Sequence, residues 1–293
     1  MADPNPGAQR KPYNINVPEL TKLAHVGVRR SALFMGLGLN AAHREDFNDY
    51  ELHKIPIVPG QTGLPMDFFP PGLPAARVKE FKTEFAMWII ACGFRELLEH
   101  YALFLDQMHK YCLVVFHSRG KLGPLDPKEA QMEFNRRFGI PKKLDTLKAR
   151  FSVAPTDSDS IKQLYEARNC LTHDLGIVRQ RRCDNDGQFT LTWKAMDVVA
   201  QGENSRVERP AIELIGNTTD EPTMIGVRMV SRERKFALGS KLALSQQDLW
   251  EICYFFKQHA IPSATESFLV FLQANDVAAN APASSSQQGT ANT

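Results

Sequence analysis

The chain has 293 residues, of which 43% are hydrophobic and 23% are charged, as expected of a globular protein with a sizeable core. Its net charge of +2 excludes a globally basic nucleic-acid binder, so any RNA-binding surface must be a local patch. The sequence shows no signal-peptide pattern, no apolar run long enough to cross a bilayer and no C-x-x-C pair among its five cysteines, so we expect reduced thiols and a cytoplasmic protein without membrane contacts.

Both ends of the chain have the composition of segments outside a folded domain. Residues 1–73 are rich in proline and glycine, which predicts an irregular N-terminal extension with one short helix near Pro18 and another around residues 31–39. Residues 277–293 have few large apolar side chains to offset the entropy lost on ordering, which predicts a disordered tail. We therefore expect the folded domain to span residues 74–276.

Residues 74–117 carry the strongest helical pattern of the chain. Pro74 suits the first turn of a helix, and no proline follows it before Pro124. Apolar residues recur at alternating spacings of three and four, with a change of phase at Gly93: Val78, Phe81, Phe85, Trp88 and Cys92 before it, and Phe94, Leu98, Tyr101, Leu105, Met108, Cys112 and Val115 after it. This pattern predicts one long helix with partner helices along both halves.

The rest of the domain is predicted as further helices interrupted by strands. Helices are expected over residues 127–138, 141–151 and 158–175, and from Ser245 onward, where Ser245 and Asp248 form a capping box and Pro262 should break or kink the helix. Between residues 177 and 244 we expect a hairpin, 177–183 with 189–193, and strands at 212–215, 225–230 and 236–242. The predicted fold class is mainly α, a helical bundle with a small antiparallel β insertion before the last helix.

The most informative motif closes the helix predicted over residues 158–175. Arg168, Asn169 and His173 stand near its end, and Gly176 stops it. A permanent cation, an amide and an imidazole that titrates near neutrality are the groups a metal-free enzyme would use on a phosphodiester. A bare R-x4-H occurs by chance in roughly half of such chains, and an asparagine directly after the arginine lowers that to about a few per cent.

The order R-N-x3-H, followed by Leu175-Gly176-Ile177-Val178, resembles the signature of the HEPN superfamily, sharply over residues 166–178 and in architecture elsewhere. These domains are bundles of about four helices, and many are RNases of bacterial toxin and antiviral-defence systems. The resemblance implies a hydrolase that cleaves single-stranded RNA without metal, through the ribose 2′-OH. His173 would be the general base or acid, Arg168 would hold the scissile phosphate, and Asn169 would orient the imidazole or bind a phosphate oxygen.

The resemblance also implies partners. HEPN nucleases dimerise and form a composite active site from the motifs of two subunits, so a homodimer is expected. Arg168 and His173 are five residues apart and diverge by about 140° on a helix, so Arg168 must reach around it or act with the histidine of another protomer. An antitoxin or other regulatory partner is a further expectation. In toxins silenced by adenylylation a tyrosine stands where this chain has Leu175, so that form of regulation is not expected.

Several basic residues are candidates for binding RNA phosphates, although solvated helix and sheet faces account for them equally well. They are Arg179, Arg181 and Arg182 after the motif, Lys142 and Lys143 before it, and a third stretch of Arg228, Arg232, Arg234 and Lys235. No cofactor is expected, because the chain has no Walker loop and no G-x-G-x-x-G. No metal is expected either, because histidines and cysteines are not at zinc-binding spacing.

The same motif is also compatible with a purely structural role. Arg168 and His173 could cap helix carbonyls or pair with Glu166 and Asp174, and the domain could be a non-catalytic HEPN scaffold that binds RNA or a partner protein. A second R-x4-H match, from Arg95 to His100, is accounted for by pairing with Glu96 and Glu99. Its functional interpretation is that Glu96 or His100 lines the same cleft from a neighbouring helix.

Overall fold

The computed structural model describes residues 15–44, 75–204, 208–210 and 221–280, and over these residues the chain is mainly helical. The helices are α1 (Val17–His43), α2 (Ala75–Ser118), α3 (Pro127–Arg137), α4 (Ile140–Phe151), α5 (Ser158–His173), α6 (Gln246–Phe255) and α7 (Ile261–Gln273). The strands are β1 (Ile15–Asn16), β2 (Gln188–Gly202), β3 (Glu208–Pro210), β4 (Thr223–Ala237) and β5 (Ala279–Asn280). None of the helices in these ranges is long and apolar enough to span a membrane.

α1 is a single helix of 27 residues, where the sequence predicted two short helices in an irregular extension. Asn16 caps it by accepting a hydrogen bond from the amide of Glu19. It runs antiparallel to α2 and packs closely on it, because a Cβ at Gly27 or at Gly93 would collide with a side chain of the facing helix. Buried side chains along its length make α1 part of the core. Residues 1–14 and 45–73 lie outside the described ranges.

α2 confirms the long helix predicted from Pro74, but only its second half has the predicted buried face. All seven apolar residues of the predicted face from Phe94 to Val115 are at most 2% exposed. In the first half, Phe85 is 47% and Trp88 is 63% exposed, because α1 packs against Ile89 instead. α1 is therefore the partner helix expected along the first half, but it covers the Ile89 side of α2 and not the predicted Phe85–Trp88 face.

The β insertion is a long two-stranded ribbon with a short third strand. β2 and β4 pair antiparallel over fifteen residues each, and β3 pairs with the other edge of β2. The predicted hairpin is wrong in its first strand, since residues 177–183 form a bridge from Ile177 to Lys241 and a 3-10 turn. The strands predicted at 225–230 and 236–242 are one strand, β4, and the one at 212–215 lies outside the described residues.

The remaining helices follow the prediction closely. α3, α4 and α5 begin and end within two residues of their predicted bounds, and Ser245 and Asp248 form the predicted capping box of α6. Pro262 does not break the helix, because the chain passes through a π-helical turn into α7 and Pro262 occupies the first turn of α7. β5 pairs in parallel with β1, so the predicted tail is ordered up to Asn280, and residues 281–293 lie outside the described chain.

Candidate functional site

The core side of α5 fixes the orientation of the motif. Five side chains of the helix are buried: Ile161, Leu164, Ala167, Cys170 and Leu171. Arg168 and Asn169 lie beside this face and are partly buried, whereas His173 is the last helical residue and is exposed. The chain then turns through Leu175 (φ +54°) and Gly176 (φ +75°), where the amide of Gly176 donates to the carbonyl of Cys170 at 3.0 Å. The helix stop predicted at Gly176 is confirmed.

The side chain of His173 is exposed and has no polar partner among the described residues. Within the described part of the chain its ring nitrogens make no hydrogen bond or ion pair. The interpretation that His173 pairs with Glu166 or Asp174 is therefore wrong. An exposed imidazole at a helix end can approach a phosphodiester from solvent and accept or donate a proton there.

Arg168 is directed toward α2. Its Nη1 donates to Oδ1 of Asn169 at 3.0 Å, and its Nη2 lies 3.7 Å from Oε1 of Glu99. The side chain of Arg168 is 19% exposed, and that of Glu99 is 54% exposed. Among the described residues, one neutral acceptor and one long ion pair engage at most two of the five N–H donors of this guanidinium. Asn169 thus orients Arg168, whereas the sequence suggested that it orients the imidazole or binds phosphate.

Glu99 is the neighbour of the motif that sequence analysis missed. Its Oε1 also lies 3.7 Å from Nε of Arg95, so the carboxylate stands between two guanidinium groups. Glu96 and His100 face α1 instead: Glu96 pairs with Arg30 at 2.7 Å, and His100 packs where Gly27 leaves room. The interpretation that Glu96 or His100 lines the motif's cleft is wrong. Residues 95 and 99 share one face of α2, and residues 96 and 100 share the neighbouring face. This helical spacing is the sequence signal that distinguishes the two pairs.

The side chain of Arg182 is nearly buried near the end of α5, where it binds two carboxylates. Its side chain is 4% exposed, and its Nε and Nη2 donate to Oδ2 of Asp174 at 2.9 and 2.8 Å. Its Nη1 donates to Glu166, and Arg181 donates to Oδ1 of Asp174 at 2.8 Å. Although desolvation opposes ionisation, the hydrogen bonds from Arg182 and Arg181 lower the pKa of Asp174 below its usual range. Arg181 and Arg182, not the motif residues, thus pair with Glu166 and Asp174.

The basic residues predicted to bind RNA divide into exposed and structural ones. Arg179 and Lys142 are exposed, the latter with its ammonium 3.9 Å from the centroid of the Phe138 ring. Arg181 keeps a 64% exposed side chain despite its ion pair. Lys143 is 3% exposed and pairs with Asp106 in the interior. Lys143 and Arg182 are therefore corrected to structural residues, because each is buried and already paired.

The third basic stretch is neutralised by acidic neighbours. Each of its four residues pairs with a carboxylate: Arg228 with Glu208, Arg232 with Glu251 and Asp197, Arg234 with Asp248, and Lys235 with Glu233. These pairs tie the ribbon to itself and to α6. They leave the basic residues around α5 as the candidate phosphate-binding surface.

A groove of about 650 Å³ lies between the first half of α2 and the turn that follows α5. Its apolar lining includes Met87, Ala91 and Leu171, and its charged lining is Glu84, Arg95 and Lys241. The amide of Leu242 donates to the carbonyl of Gly176 at 2.7 Å, and the bridge from Ile177 to Lys241 holds the same segment at the groove. Thr172, which precedes His173, also lines it. The groove therefore adjoins the motif.

Neither a metal centre nor a known relative accounts for this site. Among the side chains that the structure describes, no three of the types His, Cys, Asp or Glu are grouped as a metal site would require. Comparison with protein-family models, with curated proteins and with solved structures finds no match for this chain. A functional assignment therefore depends on the motif and its surroundings.

Proposed function

We propose that this protein is a metal-independent endoribonuclease of the HEPN type that cleaves single-stranded RNA as a toxin or antiviral-defence effector. The observation that carries the proposal is that the motif side chains have few polar partners in the described chain. His173 is exposed and unpaired within the described chain, and Arg168 is held only by Asn169 and by a carboxylate 3.7 Å away. A structural ion pair would engage these groups, whereas a phosphodiester needs them available.

The chemistry follows from these two side chains. An imidazole removes the proton of the ribose 2′-OH, the 2′ oxygen attacks phosphorus, and the bond from phosphorus to the 5′ oxygen breaks as that oxygen takes a proton. Arg168 stabilises the extra negative charge of the pentacoordinate state. The products are a 2′,3′-cyclic phosphate and a 5′-OH. DNA lacks the attacking hydroxyl and should not be cleaved.

A homodimer would complete the site. Arg168 points at α2 while His173 stands at the exposed helix end, so a second copy would supply the missing partner for each. Leu175 supports this arrangement, since it is 84% exposed and its left-handed backbone costs a leucine about 1–2 kcal/mol. A twofold axis beside Leu175 would cover this side chain and bring two His173 imidazoles together, one as base and one as acid.

The test combines growth and chemistry. Wild-type protein, Arg168→Ala and His173→Ala are expressed on induction, and the purified proteins are incubated with labelled single-stranded RNA and the matching DNA. We expect growth arrest and RNA cleavage by wild type only, with each variant reduced about 10²–10⁴-fold. His117→Ala, at an exposed histidine of α2, is the matched control and should cleave normally. Cleavage by His173→Ala at the wild-type rate would exclude the proposed mechanism.

A non-catalytic HEPN scaffold that binds RNA or a partner protein is the second candidate function. It is favoured by the outer part of β4, where Ile225 is 71% and Val227 is 62% exposed. Exposed apolar side chains on one strand face suit a protein partner such as an antitoxin or another regulator. The scaffold predicts wild-type protein that binds RNA or co-purifies with a partner and never cleaves RNA, with or without that partner.

A further inference from the structure

The groove beside the motif presents an aromatic side chain that is largely exposed in the described part of the chain. Trp88 is 63% exposed, and its one ring contact in the described chain is with Phe85, one helical turn earlier. The two ring centroids are 6.2 Å apart, with planes inclined by 13°. Leaving an indole in water forgoes the free energy of its burial, so Trp88 offers a ligand in the groove an apolar ring face to cover.

The charges around this indole favour a nucleotide. Arg95 lies two helical turns from Trp88 on the same side of α2, and Lys241 lines the groove from the segment bridged to Ile177. Both side chains are exposed; Glu84 is the one carboxylate of the described lining, and Glu99 lies 3.7 Å from Arg95 outside it. A base stacks on an aromatic ring while neighbouring cations bind the backbone, which is how single strands are held without base pairing.

The groove adjoins the motif in two ways. Thr172 lines the groove and is followed directly by His173. Arg95 and Arg168 both lie 3.7 Å from the same oxygen of Glu99, so one guanidinium of the groove and one of the motif stand on either side of a shared carboxylate. A strand whose phosphate contacts Arg168 can therefore place an adjoining nucleotide in the groove.

We propose that Trp88, Arg95 and Lys241 form a subsite for an unpaired nucleotide adjoining the scissile phosphate, with the base stacked on Trp88 and the backbone held by the two cations. The position relative to the scissile bond rests on the proposed function, whereas the binding of single-stranded RNA can be measured without cleavage. Stacking of one base on an aromatic ring corresponds to about 5- to 150-fold in affinity. Each phosphate-bound cation contributes about 0.7 to the salt dependence of binding by a single strand.

The test uses the full chain with His173→Ala, which keeps RNA intact, and a labelled single-stranded RNA octamer measured by fluorescence anisotropy. Adding Trp88→Ala should raise Kd about 5- to 150-fold, while Trp88→Phe should retain most of the affinity. Arg95→Gln should lower the slope of log K against log salt by about 0.7. Trp250→Ala is the matched control, because Trp250 is 58% exposed and stacks on Tyr254, also one turn away, at 5.9 Å. The urea midpoint of each variant confirms folding.

The outcomes separate this inference from the proposed function. Equal affinity in Trp88→Ala and Trp250→Ala, or no binding by the parent protein, overturns the subsite. A change from dimer to monomer in Trp88→Ala, measured by sedimentation, also overturns it, because Trp88 would then contact a second copy. If protein with His173 intact never cleaves RNA and Trp88→Ala still weakens binding, the nuclease proposal fails and the subsite stands. If the protein cleaves RNA and Trp88→Ala does not change binding, the nuclease proposal stands and the subsite fails.

Discussion

Arg182 donates two hydrogen bonds to the carboxylate of Asp174, from Nε and Nη2, both within 2.9 Å of the same oxygen. Its third nitrogen donates to Glu166, two turns earlier on the same helix. One guanidinium thus connects Glu166 in the last turns of α5 to Asp174, the residue after His173. These hydrogen bonds fix the helix end that carries the exposed imidazole, as the proposed catalytic role of His173 requires.

Replacing Arg182 by alanine should destabilise the protein strongly. The change leaves the nearly buried Asp174 with only Arg181 and leaves Glu166 without a partner in the described chain. Removal of one member of a buried pair costs about 3–5 kcal/mol, and the 41% exposure of Glu166 lowers our expectation to about 2–4 kcal/mol. Urea unfolding measures the change in the free energy of unfolding. Arg181→Ala, at a 64% exposed partner of the same carboxylate, should cost less than about 1 kcal/mol; equal costs would contradict a special role for Arg182.

If Arg95 and Arg168 bind RNA phosphates as proposed, Glu99 should weaken that binding, because its carboxylate lies 3.7 Å from each guanidinium group. Glu99→Gln removes this competing charge and should raise the affinity for single-stranded RNA roughly threefold to tenfold, with the gain shrinking at high salt. Anisotropy titrations at two salt concentrations measure it. Glu133→Gln, at an exposed position of α3, is the control. Weaker binding by Glu99→Gln would mean that the carboxylate positions Arg168 for RNA.

Local patterns predicted most helices of this fold, and the errors are those of long-range packing. The ends of α3, α4 and α5 follow from caps, prolines and apolar spacing that lie within each helix. α1 was predicted as two short helices and not as one, because Gly27, Gly36 and Gly38 lower its helix propensity, whereas two of them make room for side chains of α2. Which face of α2 is covered near Trp88 depends on where α1 lies, and no spacing within α2 contains that information.

The candidate site was predicted only in part, because a sequence shows local features but not the contacts between helices. The motif residues, their helix and its stop at Gly176 are local features, and the structure confirms that placement. The partner Glu99 lies on another helix and becomes visible only when α5 is packed on α2. Arg182 and Lys143 seemed to be surface cations because a sequence does not show that a basic side chain turns inward to meet a buried carboxylate.

His109 should make the protein less stable in mild acid. Burial lowers its pKa to about 4 against the ordinary 6.5, despite the hydrogen bond with Gln131. A neutral histidine in the folded state and a protonated one in the unfolded state give stability that is full above pH 6.5 and is lost as the pH falls from 6.5 toward 4. The contribution between pH 7 and pH 5 is about 2 kcal/mol.

The variant His109→Phe keeps the stack on Phe134 and removes the titrating group. Its free energy of unfolding should fall about 2 kcal/mol less between pH 7 and pH 5 than that of wild type. His117→Gln, at an exposed histidine of the same helix, should keep the wild-type dependence. An unchanged pH dependence in His109→Phe would show that different groups cause the loss.

Leu175 should lower the free energy of unfolding of the monomer and stabilise the dimer. Its left-handed backbone is easy for glycine, and its side chain is 84% exposed, so Leu175→Gly loses little burial and should stabilise the isolated chain by about 0.5–1 kcal/mol. If a second copy covers this leucine, the same change should weaken dimerisation at least tenfold and reduce cleavage with it. Urea unfolding at low protein concentration and sedimentation measure the two effects, with Leu238→Ala, at a 49% exposed leucine, as the control for dimerisation. A Leu175→Gly protein that dimerises and cleaves like wild type would place the twofold contact elsewhere on the surface, away from the end of α5.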